Sequence, residues 1–197
     1  MSIDNNHDAM LLDQLLTYWG SMSRQQAIFF LEKFWQRRPG EKIINFLMNK
    51  HYICALHGDT HVVSCTDSPL ETFTPEKEKC IWVFFRYLKM HIYGAKVLEI
   101  LTKNATNGVD FTLGDNDPNN SENIINKKMY SICYVTSKDL TIRPMLIRTN
   151  RDDKLTYIFV CDSLEEAKKI VKINPDDKIW YVTDTQAVFY DSTKEEQ

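Results

Sequence analysis

Hydrophobic positions recur at helical spacing near the start of the chain, through Met10, Leu11, Leu12, Leu15, Leu16 and Trp19, and Gly20 ends the run. Ser21-Met22-Ser23 reads as a short turn, with Ser23 placed to cap a second helix from Arg24 to about Phe34. Pro39-Gly40 opens a third helix whose apolar stripe is Ile43, Ile44, Leu47 and Met48. The period then shortens. Tyr52 to Leu56 and His61 to Cys65 are β-rich runs around a turn at His57-Gly58-Asp59-Thr60, the pattern of a hairpin. Three helices followed by a hairpin predict a winged helix-turn-helix over residues 8–66.

Residues 67–78, with Pro69, Pro75 and several turn formers, read as a linker. From Glu76 a helix is expected that is apolar nearly all round, through Ile81, Trp82, Val83, Phe84, Phe85, Tyr87 and Leu88. Such a helix belongs in a core or at a homodimer contact. Gly94 interrupts it before a helical continuation from Ala95 to Leu101. Strands follow at Val109 to Leu113, Met129 to Thr136, Thr141 to Arg148 and Leu155 to Cys161, with the polar stretch Gly114 to Ser121 as a loop. Ser163 and Glu166 have the spacing of a capping box for a helix to about Val171, and strands at Ile179 to Val182 and Ala187 to Tyr190 close the chain. The fold class expected is α+β. It comprises the winged helix and a mixed α/β domain over residues 79–192, with a central sheet and the order α-β-β-β-α-β-β.

Composition changes the picture little. Four Trp, nine Tyr and ten Phe argue against disorder. The net charge of -3 speaks against a protein that coats nucleic acid, though not against a specific binder with a local basic face. No apolar run reaches the roughly 20 residues that span a bilayer, so no membrane association is expected. Five cysteines without a CxxC pair read as reduced thiols in a cytoplasmic protein.

The third helix carries the main candidate chemistry. Lys33, Arg37, Arg38, Lys42 and Lys50 cluster around it against one acid, Glu41. Arg37, Arg38, Lys42 and Lys50 suit phosphate contacts, while Asn45 and Asn49 suit base edges and His57 sits at the wing tip. These seven residues are the expected contacts to double-stranded DNA. A protein-interaction scaffold without DNA binding is the competing class, and a PD-(D/E)xK-type nuclease is the further alternative. The series Cys54-x2-His57-x3-His61-x3-Cys65 has zinc-donor chemistry, but its spacing straddles a hairpin and no metal is expected.

A nuclease would need a carboxylate and an acidic-x-Lys triplet on adjoining strands to hold Mg²⁺. Asp152/Lys154, Asp176/Lys178 and Glu166/Lys168 have that spacing, but fall in turns or on a helix. The candidate central strand from Met129 to Tyr134 carries no acid and no internal lysine, so neither catalytic residues nor a cofactor are expected.

The patterns Leu15-Leu16-x3-Gly20-x2-Ser23-x2-Gln26-Ala27 and Ile43-x3-Leu47-x3-His51-Tyr52-Ile53 sit alongside Ile81-Trp82-Val83 and Met129 to Val135. With them the chain resembles the replication-relaxation group of bacterial plasmids and integrative elements. That resemblance implies a winged helix joined to a domain like a restriction endonuclease, here inactive, with a role in regulation or mobilisation of the element. The combination also looks like some antitoxin-type autoregulators.

Overall fold

The computed structural model describes residues 12–13, 15–33, 39–56, 58–65, 73–91, 96–101, 108–117, 120–142, 155–173, 178–183 and 186–190. The protein mixes helices and strands in two compact units, Met1–Glu78 and Lys79–Gln197.

In the first unit, residues 12–13 and 15–19 form helix α1, which buries Leu12, Leu15, Leu16 and Trp19. Gly20 (φ 76°) terminates it, donating its N–H to the Leu16 carbonyl at 2.7 Å. This is the left-handed cap that glycine makes at least cost. Ser21–Ser23, expected as a turn, is strand β1. It pairs with β3, so partners distant in sequence decide its conformation. Helix α2 (Arg24–Lys33) starts with a reciprocal cap. The Ser23 N–H donates to Gln26 Oε1 (3.0 Å) and the Gln26 N–H to Ser23 Oγ (3.3 Å). Helix α3 (Gly40–Asn49) follows, and then β2 (Ile53–Leu56) and β3 (Asp59–Cys65). The three strands form an antiparallel sheet in the order β1-β3-β2.

Helix α4 (Pro75–His91) contains the boundary between the units and begins at Pro75, one residue before the Glu76 start expected from sequence. Thr74 caps it by accepting the Lys77 N–H (3.2 Å), and Pro75 occupies the first helical position, where a missing N–H costs nothing. Lys77 is buried, and its ammonium donates to the Trp19 carbonyl at the end of α1. A cation there complements the negative end of the helix dipole. Gln26 reaches the same turn, donating Nε2 to the Glu78 carbonyl at 2.7 Å.

The second unit is built on a six-stranded sheet in the order β4-β5-β6-β7-β8-β9. Its strands are β4 (Lys96–Leu101), β5 (Gly108–Asp117), β6 (Asn120–Tyr134), β7 (Leu155–Cys161), β8 (Lys178–Thr183) and β9 (Gln186–Tyr190). Strands β4 to β6 form an antiparallel meander, β6, β7 and β8 run parallel, and β9 returns antiparallel. The parallel pairs need crossovers, supplied by α5 (Ser137–Ile142) between β6 and β7 and α6 (Leu164–Ile173) between β7 and β8. On one sheet face Phe111 and Tyr130 stack with centroids 5.0 Å apart, and Phe84 and Tyr87 of α4 pack on them. On the other, Ala167 and Ile170 of α6 join Val135, Phe159, Cys161 and Ile179.

The order of elements in this unit is therefore α-β-β-β-α-β-α-β-β, with three departures from the expected pattern. Residues 96–101 continue no helix but pair with β5, because Lys-Val-Leu-Glu-Ile-Leu is too short for periodicity to separate the two states. The stretch from Gly114 to Ser121 is mostly the hairpin between β5 and β6, whose register shifts between Leu113 and Asp115 and again between Asn116 and Asp117. Thr141 and Ile142 end α5 instead of opening a strand, and residues 143–150 lie outside the described residues. A local cap nucleates α5: the Thr136 N–H donates to Asp139 Oδ2 (2.9 Å) and the Asp139 N–H to Thr136 Oγ1 (3.3 Å).

The apolar helix is buried as expected: Ile81, Val83, Phe84 and Phe85 have no exposed surface and Trp82 only 7 %. One chain covers it, so it requires no second copy. Among the described residues no helix is long and apolar enough to cross a membrane.

Candidate nucleic-acid interface

Helix α3 is set against α2 by a glycine. The Gly40 N–H donates to Glu32 Oε1 (3.0 Å), and a Cβ at Gly40 would lie 3.1 Å from the Ile28 carbonyl oxygen. A side chain there would require its neighbours on α2 to give by a few tenths of an ångström, so glycine suits the approach. Ile43, Ile44 and Leu47 then fill the core. Lys42, Asn45 and Asn49 fall within about 60° of arc at about 100° per residue, on the side opposite the buried stripe. All three are exposed.

The far end of α3 is closed by a left-handed residue that is not glycine. His51 has φ 59°; its N–H donates to the Met48 carbonyl (3.1 Å) and the Tyr52 N–H to the Leu47 carbonyl (3.0 Å). These two bonds make a Schellman motif. It turns the chain directly into β2, which places the β2–β3 hairpin beside the end of α3. Lys50 is exposed at this corner, its ammonium 6.0 Å from the Phe46 ring centroid.

A residue that sequence reasoning missed controls the middle of α3. Arg24, at the start of α2, donates to Glu41 Oε1 through Nε (3.2 Å) and Nη2 (2.7 Å), to Met48 Sδ through Nη1 (3.2 Å), and to Asn45 Oδ1. Glu41, Asn45 and Met48 recur every three to four residues, so the guanidinium lies along one edge of the helix. No local signal pairs Arg24 with residues 17 to 24 positions away. Lys42 and Asn49, by contrast, make no side-chain hydrogen bond or ion pair among the described residues.

Of the seven expected contacts, the fold brings Lys42, Asn45, Asn49 and Lys50 onto α3 and its cap. Arg37, Arg38 and His57 lie outside the described residues. In the hairpin, Cys54 is half-buried with Sγ 3.3 Å from Ser64 Oγ, Gly58 (φ 82°) is exposed in the turn, and His61 is exposed on β3. Among the described residues no group of three or more His, Cys, Asp and Glu side chains could hold a metal ion.

The second unit holds two polar clusters. In the sheet, the buried Asp110 of β5 accepts a hydrogen bond from Ser131 Oγ of β6 at 2.6 Å, and Ser131 lies 3.2 Å from Cys133 Sγ. The register pairs Asp110 with Ser131 and Gly108 with Cys133. The carboxylate on one strand thus lies opposite the Ser of a Ser-x-Cys on the next, where metal-dependent cleavage would need acid-x-Lys. Asp152, Lys154 and Asp176 lie outside the described residues; Lys178 opens β8, and Glu166 and Lys168 sit on α6.

The second cluster lies at the ends of β6 and β7. Tyr134 donates its hydroxyl to Asp162 Oδ2 (2.6 Å), Lys79 pairs with the same carboxylate, and the Lys79 ammonium is 5.3 Å from the Tyr134 ring centroid. Partial burial pushes the Asp162 carboxyl up, but the bonds from Lys79 and Tyr134 outweigh it and hold the group below its ordinary value. The Ser137 N–H donates to Glu166, which lowers that carboxyl as well and ties α5 to α6. Glu166 thus fills only half of the expected capping box: its N–H donates to Ser163 Oγ (3.2 Å) while its carboxylate serves α5. Cys161 is buried and its thiol is pushed up to about 11, an unreactive sulfur at neutral pH.

No protein-family model matches the chain, nor does any curated protein or solved structure.

Proposed function

We propose that the first unit is a winged helix that binds double-stranded DNA through α3, with the β2–β3 hairpin as its wing. In this reading the protein is an accessory or regulatory DNA-binding protein. The observation that carries it is the outward stripe of α3. Lys42, Asn45 and Asn49 are exposed on one line opposite a buried stripe, on a helix anchored to α2 at Gly40 and followed at once by a hairpin. A major groove admits such a helix, and lysine and asparagine suit its phosphates and base edges. The resemblance to the replication-relaxation group points this role toward a plasmid or integrative element.

The second unit, in the same proposal, does not cut nucleic acid. Asp110 meets Ser131 there, and Ser131 in turn meets Cys133; among the described residues paired with them in the sheet register there is neither a second acid nor a lysine, which supports that reading. A protein-interaction scaffold is the second reading, and the neutralisation of Arg24 by Glu41 favours it, since it removes one cation from the α3 edge.

The test is a salt series of duplex binding followed by fluorescence anisotropy. The triple variant Arg37→Ala, Arg38→Ala, Lys42→Ala is expected to bind more weakly and to lower the slope of log K against log salt by about 0.9 for each phosphate no longer neutralised. Absence of affinity for any duplex at low salt refutes DNA binding and leaves the scaffold. Cleavage of plasmid DNA with Mg²⁺ or Mn²⁺ refutes the non-catalytic part.

A further inference from the structure

The two asparagines on the outer face of α3 are chemically alike, but the fold treats them differently. Arginine has only N–H donors, so the atom of Asn45 that faces Arg24 must be its carbonyl Oδ1. The amide is planar, with oxygen and nitrogen on separate arms of the trigonal Cγ. Turning Oδ1 toward the guanidinium therefore leaves Nδ2 on the arm that does not face it. Glu41 and Met48 hold the same guanidinium from the two flanking turns, so the orientation does not depend on a single bond. Asn49 is one turn further along, is exposed, and has neither amide atom engaged among the described residues.

Asparagine reads adenine with both ends of its amide: the oxygen accepts from N6 and the nitrogen donates to N7. Asn45 as held by Arg24 has its oxygen turned to the guanidinium with one of its two lone pairs spent there, so the end left to a base is the nitrogen, which serves any acceptor, including guanine N7 and O6 and thymine O4. Asn49 presents both. We propose that Asn49 is the adenine-reading residue of α3, and that Arg24 is a positioning residue which restricts Asn45 to donating. This rests on the DNA-binding reading above and deepens it. The two side chains are about 6 Å apart along the helix axis, close to two base-pair steps.

The test is selection of bound duplexes from a random-sequence pool by the full-length protein, followed by sequencing. Wild type is expected to enrich sites with one strongly specified adenine. Asn49→Ala is expected to lose that adenine alone, keep the rest of the motif, and bind the wild-type consensus about ten- to a hundredfold more weakly. Asn49→Asp, which keeps the size but not the donor, behaves likewise. Asn45→Ala keeps the adenine. Arg24→Met, which preserves the stem against α3 but frees the Asn45 amide, gains a second adenine preference near the first. A merely structural role of Arg24 would change affinity or stability without adding a base preference. An adenine that persists in Asn49→Ala, or one erased by Asn45→Ala instead, overturns the assignment while DNA binding stands. A wild-type selection that binds duplex without enriching any sequence overturns it too. An unchanged motif in Arg24→Met removes the Arg24 restriction. No duplex binding by wild type at low salt removes the underlying reading as well.

Discussion

Replacing Gly40 with alanine tests whether the α2–α3 approach is as close as the structure makes it. The added Cβ would sit 3.0 Å from Glu32 Cγ, 3.1 Å from Ile28 Cγ2 and 3.1 Å from the Ile28 carbonyl oxygen. Glu32 and Ile28 side chains can rotate, at the cost of the Gly40 N–H bond to Glu32. The carbonyl belongs to the α2 backbone and yields only if the helices separate by a few tenths of an ångström. Overpacking of this kind costs about 1–3 kcal/mol. Alanine recovers at most about 1 kcal/mol of helix propensity, and less at a first helical position. The net expectation is a loss of about 1–2 kcal/mol, or about 2–8 °C in Tm for a chain of this length. Thermal unfolding followed by circular dichroism, with a urea midpoint as the second measurement, reads it directly. The same substitution should weaken duplex binding, because the Arg24 contacts to Glu41 and Asn45 cross the same helix pair. A variant as stable as wild type would refute the argument that glycine is required by close approach.

Three further outcomes are expected. His51→Gly should raise stability by about 0.5–1 kcal/mol, since it removes a side chain held in the left-handed region at φ 59°; a lower Tm would show that the imidazole contributes more than the strain costs. Asp162 and Glu166 titrate below their ordinary values when folded, so their stabilisation is present above the unfolded carboxylate range of about pH 4 and is lost as pH falls through the folded values. The stability gap between wild type and Asp162→Asn should therefore be wider at neutral pH than in acid, and a gap that does not change with pH refutes the linkage. Cys161 should resist iodoacetamide at pH 8 in the folded protein and react on unfolding, because burial pushes its thiol to about 11; mass spectrometry of the tryptic peptides would expose the contrary result as native-state labelling.

Much of the first unit was legible in its sequence because its signals are local. Gly20 after an apolar-periodic run, Ser23 ahead of the helix from Arg24, and Pro39-Gly40 before Ile43 and Ile44 each act within one or two helical turns. In the second unit, β7 to β9 carry enough apolar β-formers to be read directly, and the all-round apolar Ile81 to Leu88 could only be buried. Residues 21–23 and 96–101 were not legible, because a short run of mixed character takes whichever state its partner strand imposes. The hairpin through Asp115 and Asn126 was hidden for a related reason: its polar composition imitates a loop, while the Asn126 Nδ2 bond to Asp115 Oδ2 at 3.1 Å and the register with β5 stabilise it as strand.

The division is sharpest at the candidate interface. Helical periodicity alone aligned Lys42, Asn45 and Asn49 on one outward line, since that follows from 3.6 residues per turn. Which of the two asparagines keeps a free amide was decided by Arg24, brought to Glu41 and Asn45 from the neighbouring helix. Likewise the sequence showed that the strand from Met129 to Tyr134 lacks an acid, but only sheet register set Ser131 opposite Asp110. Periodicity is a property of one segment and is written in its residues. A hydrogen bond across two segments depends on where the chain returns, and only tertiary packing specifies that.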